Sequence, residues 1–314
     1  MKPDLIVICG PTASGKTALA VALAQTLNGE VVSADSMQVY RRMDIGTAKP
    51  TAEEMAGVPH HMIDVADPEE NYSVARYVQE AVPVVDDILA RGRLPIVAGG
   101  TGLYIDNLIA GREFAPFPAD TGLRESLQAR AKAGGLPALR EELARVDPEA
   151  ARRLHPNDEK RIIRALEVWY ATGKTITEHD RESRALPPRY TALTIGLDYA
   201  DRADLRERID RRVDEMMDRG LEAEVRALLD SGVSPGCTAM QAIGYKELAA
   251  ALAEGRPAEE GAEEIKLRSR QYAKRQLTWF RRNRDVRWFR WGSSPDFSQA
   301  LAFSTETAAH CGLQ

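Results

Sequence analysis

The chain has 314 residues, 44% hydrophobic and 28% charged, with a net charge of −5. This is the balance of an ordinary folded protein, long enough for one large domain or two. No run reaches the roughly 18 apolar residues of a membrane span, the first strand starts too close to Met1 for a signal peptide, and Cys9, Cys237 and Cys311 fit neither a disulfide framework nor a zinc spacing, so a cytoplasmic protein is expected.

Leu5–Cys9 is a short apolar run that reads as a buried parallel strand, and Ala18–Gln25 is an Ala/Leu-rich helix. Between them stands Gly10-Pro11-Thr12-Ala13-Ser14-Gly15-Lys16-Thr17, a G-x-x-x-x-G-K-T phosphate-binding loop in the strand–loop–helix order it requires. Its amides turn inward on an anion, the helix N-terminus adds partial positive charge, Lys16 reaches the terminal phosphates and the Thr17 hydroxyl can hold Mg²⁺. A second strand, Gly29–Asp35, ends in an acid. A helix is expected over Val74–Ala90, with apolar residues near helical spacing, and a third buried strand over Leu94–Ala98, which leads into Gly99-Gly100-Thr101. Strands alternating with helices imply an α/β fold with a parallel sheet. Ligands of such sheets bind beyond the carboxyl ends of the strands, where the loop, Asp35 and Thr101 all fall.

Pro116, Pro118 and Asp120 mark a change of composition. From Thr121 to about Thr172 the pattern is helical and charged, followed by a polar stretch to Pro188, so an all-helical insertion over 119–188 is expected within a core formed by 1–118 and 189–314. Tyr190–Leu197 resumes the sheet. Helices follow at about Arg202–Arg219 and Leu221–Leu229, Val286–Phe289 is a last strand, and the tail past Gly292 reads as loosely ordered. The adjacent His60 and His61 have no third ligand at metal spacing and read as packing residues.

Charge is uneven. Lys266, Arg268, Arg270, Lys274, Arg275, Arg281, Arg282, Arg284, Arg287 and Arg290 fall in a window whose single acid is Asp285, interleaved with Tyr272, Trp279, Phe280, Trp288 and Phe289 and followed by Trp291. Basic residues for phosphates plus aromatic faces for stacking form a nucleic-acid footprint. The phosphate loop alone leaves a small-molecule kinase, a nucleotide sensor or a group transferase open. A GTPase is disfavoured, because neither D-x-x-G nor N-K-x-D occurs.

Six segments in order, Gly10–Thr17, Asp35–Tyr40, Gly99–Tyr104, His155-Pro-Asn-Asp158 with Arg161–Glu167, Ala242–Glu247 and Lys274–Arg281, resemble the signatures of the tRNA dimethylallyltransferase (isopentenyltransferase) family in its shorter, bacterial-type form. The resemblance implies transfer of the dimethylallyl group from dimethylallyl diphosphate to N6 of adenine 37 beside the tRNA anticodon, with release of diphosphate and no need of ATP. It implies Gly10, Pro11, Thr12, Ala13, Ser14, Gly15, Lys16 and Thr17 for the diphosphate, Mg²⁺ on Thr17, and Asp35, Thr101, Lys16 and Arg124 for catalysis, with Asp35 as general base. Asp35 also has a plainer reading as a helix cap or second-shell metal ligand. Ser36, Met37 and Gln38 would line the pocket of a flipped-out adenine. Further tRNA contacts are implied at Thr101 and Arg124, at Lys160, Arg161, Ile162, Ile163 and Arg164, at Gln241, Ala242, Ile243, Gly244, Tyr245 and Lys246, and at Lys274, Arg275, Gln276, Leu277, Thr278, Trp279, Phe280 and Arg281. The partners are then the anticodon stem-loop and dimethylallyl diphosphate, met by a monomer with no membrane attachment. Arg208, Arg211 and Arg212 alternate with acids on one helix, which leaves open whether one of them meets the diphosphate.

Overall fold

Every residue of β1 (Leu5–Cys9) is buried, as a central strand covered on both faces requires. The other strands are β2 (Gly29–Ser33), β3 (His60–His61), β4 (Leu94–Gly99), β5 (Ala192–Tyr199) and β6 (Arg287–Trp291). In the computed structural model they form one sheet of order β3-β2-β4-β1-β5-β6 with every neighbouring pair parallel. The structure describes residues 2–112, 121–293 and 295–313, so the composition change at Pro116, Pro118 and Asp120 lies outside the described residues. The chain divides into two units, 1–111 with 189–314, and 112–188.

In the first unit α1 (Lys16–Thr26) follows the phosphate loop, a short α2 (Ala52–Met55) precedes β3, and α3 (Val74–Ala90) and α4 (Gly102–Ala110) flank β4. Alternation along β1 sorts the core in two. Leu5, Val7 and Cys9 pack with Tyr77, Val85 and Ile88 of α3, whereas Ile6 and Ile8 pack with Leu19 and Leu23 of α1. The second unit contains α5 (Thr121–Arg130), α6 (Leu136–Val146), α7 (Pro148–Arg153), α8 (Glu159–Thr172) and α9 (Ile176–Ala185) around Leu127, Leu139, Leu143, Ile162 and Leu166. It has no strand among its described residues.

Back in the first unit come α10 (Arg202–Asp218), α11 (Leu221–Asp230), α12 (Tyr245–Ala253), the 23-residue α13 (Ala258–Phe280) and, after β6, α14 (Phe297–His310). The last helix corrects the expectation of a loose tail. Asp296 caps it by accepting the Ser298 and Gln299 amides, and Ala300, Ser304 and Ala308 recur every four residues on its buried face. That face consists of small residues, so it carries little hydrophobic signal. His60 and His61 form β3 at the sheet edge. His60 Nδ1 lies 2.8 Å from the Val58 carbonyl and His61 Nε2 2.7 Å from the buried Glu30 carboxylate.

Candidate active site

The loop between β1 and α1 bends through positive φ at Gly10 (149°), Ala13 (62°) and Gly15 (83°). A Cβ on Gly10 would stand 2.5 Å from the Leu197 carbonyl oxygen, so the close approach to β5 requires glycine. Gly15 caps α1 without a side-chain bond. Among the described residues the amides of Ser14, Gly15, Lys16 and Thr17 donate to no protein group, which leaves the helix-start donors free for an anion. Thr12 differs, because its amide donates to Gln276 Oε1 at 2.8 Å. Lys16 Nζ donates to the Pro11 carbonyl at 2.7 Å. Burial first, and the Arg212 cation second, lower the Lys16 ammonium to about 8, against the opposing pull of Asp35.

A cavity of about 500 Å³ opens over the loop, lined by Thr12–Ala18, Asp35, Gln38 and, from α10, Arg208, Arg211 and Arg212. A second cavity of about 300 Å³ is lined by Ser36, Met37, Ile209, Val213, Gln241, Ala242, Ile243 and Arg275 among others. Thr12, Asp35, Thr47, Arg212, Met216 and Tyr272 line both. The two cavities therefore meet at Asp35. Its Oδ1 accepts the Met37 amide at 2.9 Å, and Oδ2 has no hydrogen-bond partner among the described residues. Thr101 Oγ1 accepts the Ser36 amide at 3.0 Å and donates to Ser36 Oγ at 3.3 Å, tying the ends of β2 and β4 together. Burial, reinforced by Asp35, pushes the Tyr272 phenol up to about 12, against a smaller downward pull from its polar neighbours Thr101, Arg275 and Gln276.

α10 resolves its own alternation. Arg211 pairs with Glu207 at 2.6 Å and Arg208 lies by the Tyr199 hydroxyl. Arg212 is half-buried without an ion-pair partner among the described residues, facing the Asp35 charge. It is the α10 arginine that reaches both cavities.

The remaining anticipated contacts divide by burial. Gln38 lines the larger cavity, and its amide is spent on structure: Nε2 donates to the Thr47 and Ala48 carbonyls and Oε1 accepts from Ser33 Oγ. Gln276 is buried between the Thr12 amide and the Gly100 carbonyl, to which its Nε2 donates at 3.0 Å, and so joins the phosphate loop to the Thr101 loop. Leu277 and Phe280 are buried core residues, as are Ile162 and Ile163 in the second unit. A helix puts only one face outward, so contiguous runs of contacts cannot all meet RNA. Gly244 and Tyr245 are buried too, the latter donating to Glu224, while Ala242, Ile243 and the exposed Gln241 line the smaller cavity. Trp279 donates to Asp106 at 3.0 Å, and Lys246, Lys274, Arg275 and Thr278 are exposed. Arg124 is held bidentately by the buried Glu167, with Arg164 on the same carboxylate. Arg161 pairs with Asp158 at 3.0 Å, and Lys160 is exposed without a partner among the described residues.

The basic window is likewise part structure. Lys266, Arg268, Arg270 and Arg281 pair with Asp214, Glu264, Asp210 and the buried Asp198. Lys274, Arg275, Arg282, Arg284, Arg287 and Arg290 are exposed and pair with no acid among the described residues. The expected stacking aromatics are largely packed inward. Trp288 covers Gly196, Phe289 meets Trp291 edge-on with centroids 4.9 Å apart, and Trp291 is buried. Trp291 Nε1 donates to the Ser14 carbonyl at 2.9 Å, a buttress of the phosphate loop that no sequence motif announced. Another is Glu224 of α11, whose carboxylate accepts the amides of Asp44, Ile45 and Gly46 and the Tyr245 hydroxyl, fixing the loop that carries Thr47.

Comparison with known proteins agrees with this architecture. The family model described as IPP transferase matches residues 38–283. The tRNA dimethylallyltransferase of Caldanaerobacter subterraneus subsp. tengcongensis is 49% identical over 290 residues, 92% of each chain, and that of Desulforudis audaxviator is 51% identical over 287 residues, 91% of each. The crystal structure of the tRNA isopentenylpyrophosphate transferase from Bacillus halodurans superposes with a TM-score of 0.73 at 44% identity, covering 99% of this chain and 98% of that one. A eukaryotic dimethylallyltransferase acting on tRNA superposes at 0.79 and 31% identity, covering 98% of this chain and 79% of its own. Matched by the family model over residues 38–283 and about half identical to these relatives over 91–92% of its length, this chain belongs to the IPP transferase family.

Proposed function

We propose that this protein transfers the dimethylallyl group from dimethylallyl diphosphate to N6 of adenine 37 in the anticodon loop of tRNA, releasing diphosphate. The observation that carries the reading is the shared wall: the cavity over the phosphate loop and a second cavity meet at one carboxylate, Asp35. The diphosphate occupies the larger cavity, on the free amides of Ser14–Thr17, Lys16 and Arg212. Adenine, swung out of its stack, enters the smaller one. The C1–O bond of the donor breaks and its electron pair leaves with the diphosphate. The N6 lone pair forms the bond to C1, and the proton N6 loses passes to Asp35 Oδ2. Lys16, Arg212 and the amides meet the charge that grows on the departing diphosphate, so they favour the transition state over the bound substrate.

Mg²⁺ suits the oxygen donors present, since the Thr17 hydroxyl and the Asp35 carboxylate line the same cavity. Thr17 would hold the ion, which when bound neutralises charge on the diphosphate. The six unpaired cations from Lys274 to Arg290 supply the phosphate contacts of the RNA. No helix among the described residues is long and apolar enough to cross a membrane.

The test combines the protein, dimethylallyl diphosphate, Mg²⁺ and tRNA, with mass spectrometry of the nucleosides. The expected result is a five-carbon addition to one adenine that Asp35→Ala abolishes while tRNA still binds. Absence of product, or phosphate passed from ATP to a metabolite without RNA, refutes the proposal.

A further inference from the structure

We propose that Met216 sets the length of the prenyl chain the site accepts, as the apolar wall at the junction of the two cavities. The inference rests on the transfer reaction above and goes beyond it. The migrating carbon must lie between the diphosphate oxygen it leaves and the nitrogen it joins, so the rest of its chain lies at the junction as well. Of the six residues that line both cavities, Thr12, Asp35, Thr47, Arg212 and Tyr272 present polar ends, and Met216 alone is apolar throughout.

Met216 continues a stripe on α10. Ile209 and Val213, both buried, lie on the same helical face and line the smaller cavity beside Ile265 of α13. The half-buried Met216 packs onto the larger core and ends that stripe where the cavities join. A methionine side chain fills irregular space and can be shortened without stranding a polar group. Removing its Cγ, Sδ and Cε enlarges the junction of the two cavities, where the prenyl chain lies.

The experiment measures kcat/KM for dimethylallyl and geranyl diphosphate with one tRNA and takes their ratio. A ratio of two donors on one preparation does not depend on how much of the chain is folded. Met216→Ala is expected to shift it toward the ten-carbon donor by at least about tenfold, the least that even one methylene commonly commands in an apolar pocket. Met216→Leu, close in volume, is expected to keep the wild-type ratio. Met216→Phe is expected to weaken transfer from the five-carbon donor while leaving inhibition by inorganic diphosphate as in the wild type. An unchanged ratio in Met216→Ala, or a shift in Met216→Leu as large as in Met216→Ala, overturns the assignment. A wild-type chain that transfers nothing from dimethylallyl diphosphate overturns the underlying reaction instead, so the two failures are distinct.

Discussion

Lys16 offers a pH profile whose position can be argued from its surroundings. Its ammonium is lowered from 10.5 to about 8, by burial first and by Arg212 second, while Asp35 opposes the shift. Since the proposed reaction needs the group as a cation to meet the diphosphate, kcat/KM for dimethylallyl diphosphate, which reports the free enzyme, should hold a plateau below pH 8 and fall above it, by about tenfold at pH 9. Arginine keeps its charge throughout, so Lys16→Arg should lose this alkaline limb even if its plateau is low. Arg212→Gln removes one of the two lowering causes. Its limb should move to higher pH yet remain below 10.5, because burial stays, and the position of the limb is informative whatever its height. A steady-state profile from pH 6 to 10 on the three chains decides the matter. A wild-type profile flat to pH 10, or a limb that stays in place when Arg212 is replaced, refutes the account of Lys16.

The buried Glu30 carboxylate is held down to about 2 by Arg91, His61 and Arg93. A depressed carboxylate stabilises above its unfolded value near 4.5 and ceases to as pH falls through about 2. Glu30→Gln should therefore cost about 2–3 kcal/mol in urea unfolding at pH 7, after allowance for the solvent-exposed arginine heads, and progressively less toward pH 2. Glu224→Gln removes one acceptor oxygen from three loop amides. It should destabilise by about 1–3 kcal/mol and raise the KM for tRNA, because Gly46 and Thr47 wall the smaller cavity; an unchanged KM counts against that placement. Replacing Arg282 or Arg284 by Ala should lower the salt slope of tRNA binding by about 0.7–0.9 each. Arg281→Ala, which strips a partner from the buried Asp198, should show its loss in thermal unfolding instead.

The frame of the site was legible because its signals are local. The Gly10–Thr17 loop, the acid two residues beyond β2 and the glycine pair at the end of β4 each lie where an apolar strand stops, and parallel order brings strand ends to one edge. The basic window misled in part, since a one-dimensional count cannot see that Lys266 and Arg270 face the acids of α10. The aromatic residues misled for a related reason. An edge strand can present Trp and Phe to the sheet face rather than to a ligand, and β6 does so with Trp288 on Gly196 and Phe289 on Phe303.

What no local pattern could reveal is what holds the phosphate loop still. Its braces come from far along the chain: Gln276 on the Thr12 amide, Trp291 on the Ser14 carbonyl and Tyr199 on the Ala13 carbonyl. Amide donors aid a departing anion only if they are aimed before its charge develops, because reorientation during the reaction would return the gain. The free amides of Ser14–Thr17 sit on a loop with three positive-φ residues, a geometry a short peptide would not keep unaided. Gln276 also holds the Gly100 carbonyl, so one buried amide side chain sets the distance between the anion cradle and the Thr101–Ser36 pair beside Asp35. In the proposed reaction this side chain aligns leaving group and base through its two backbone contacts. Shortening it by one methylene in Gln276→Asn should lower kcat more than it raises the KM for the donor.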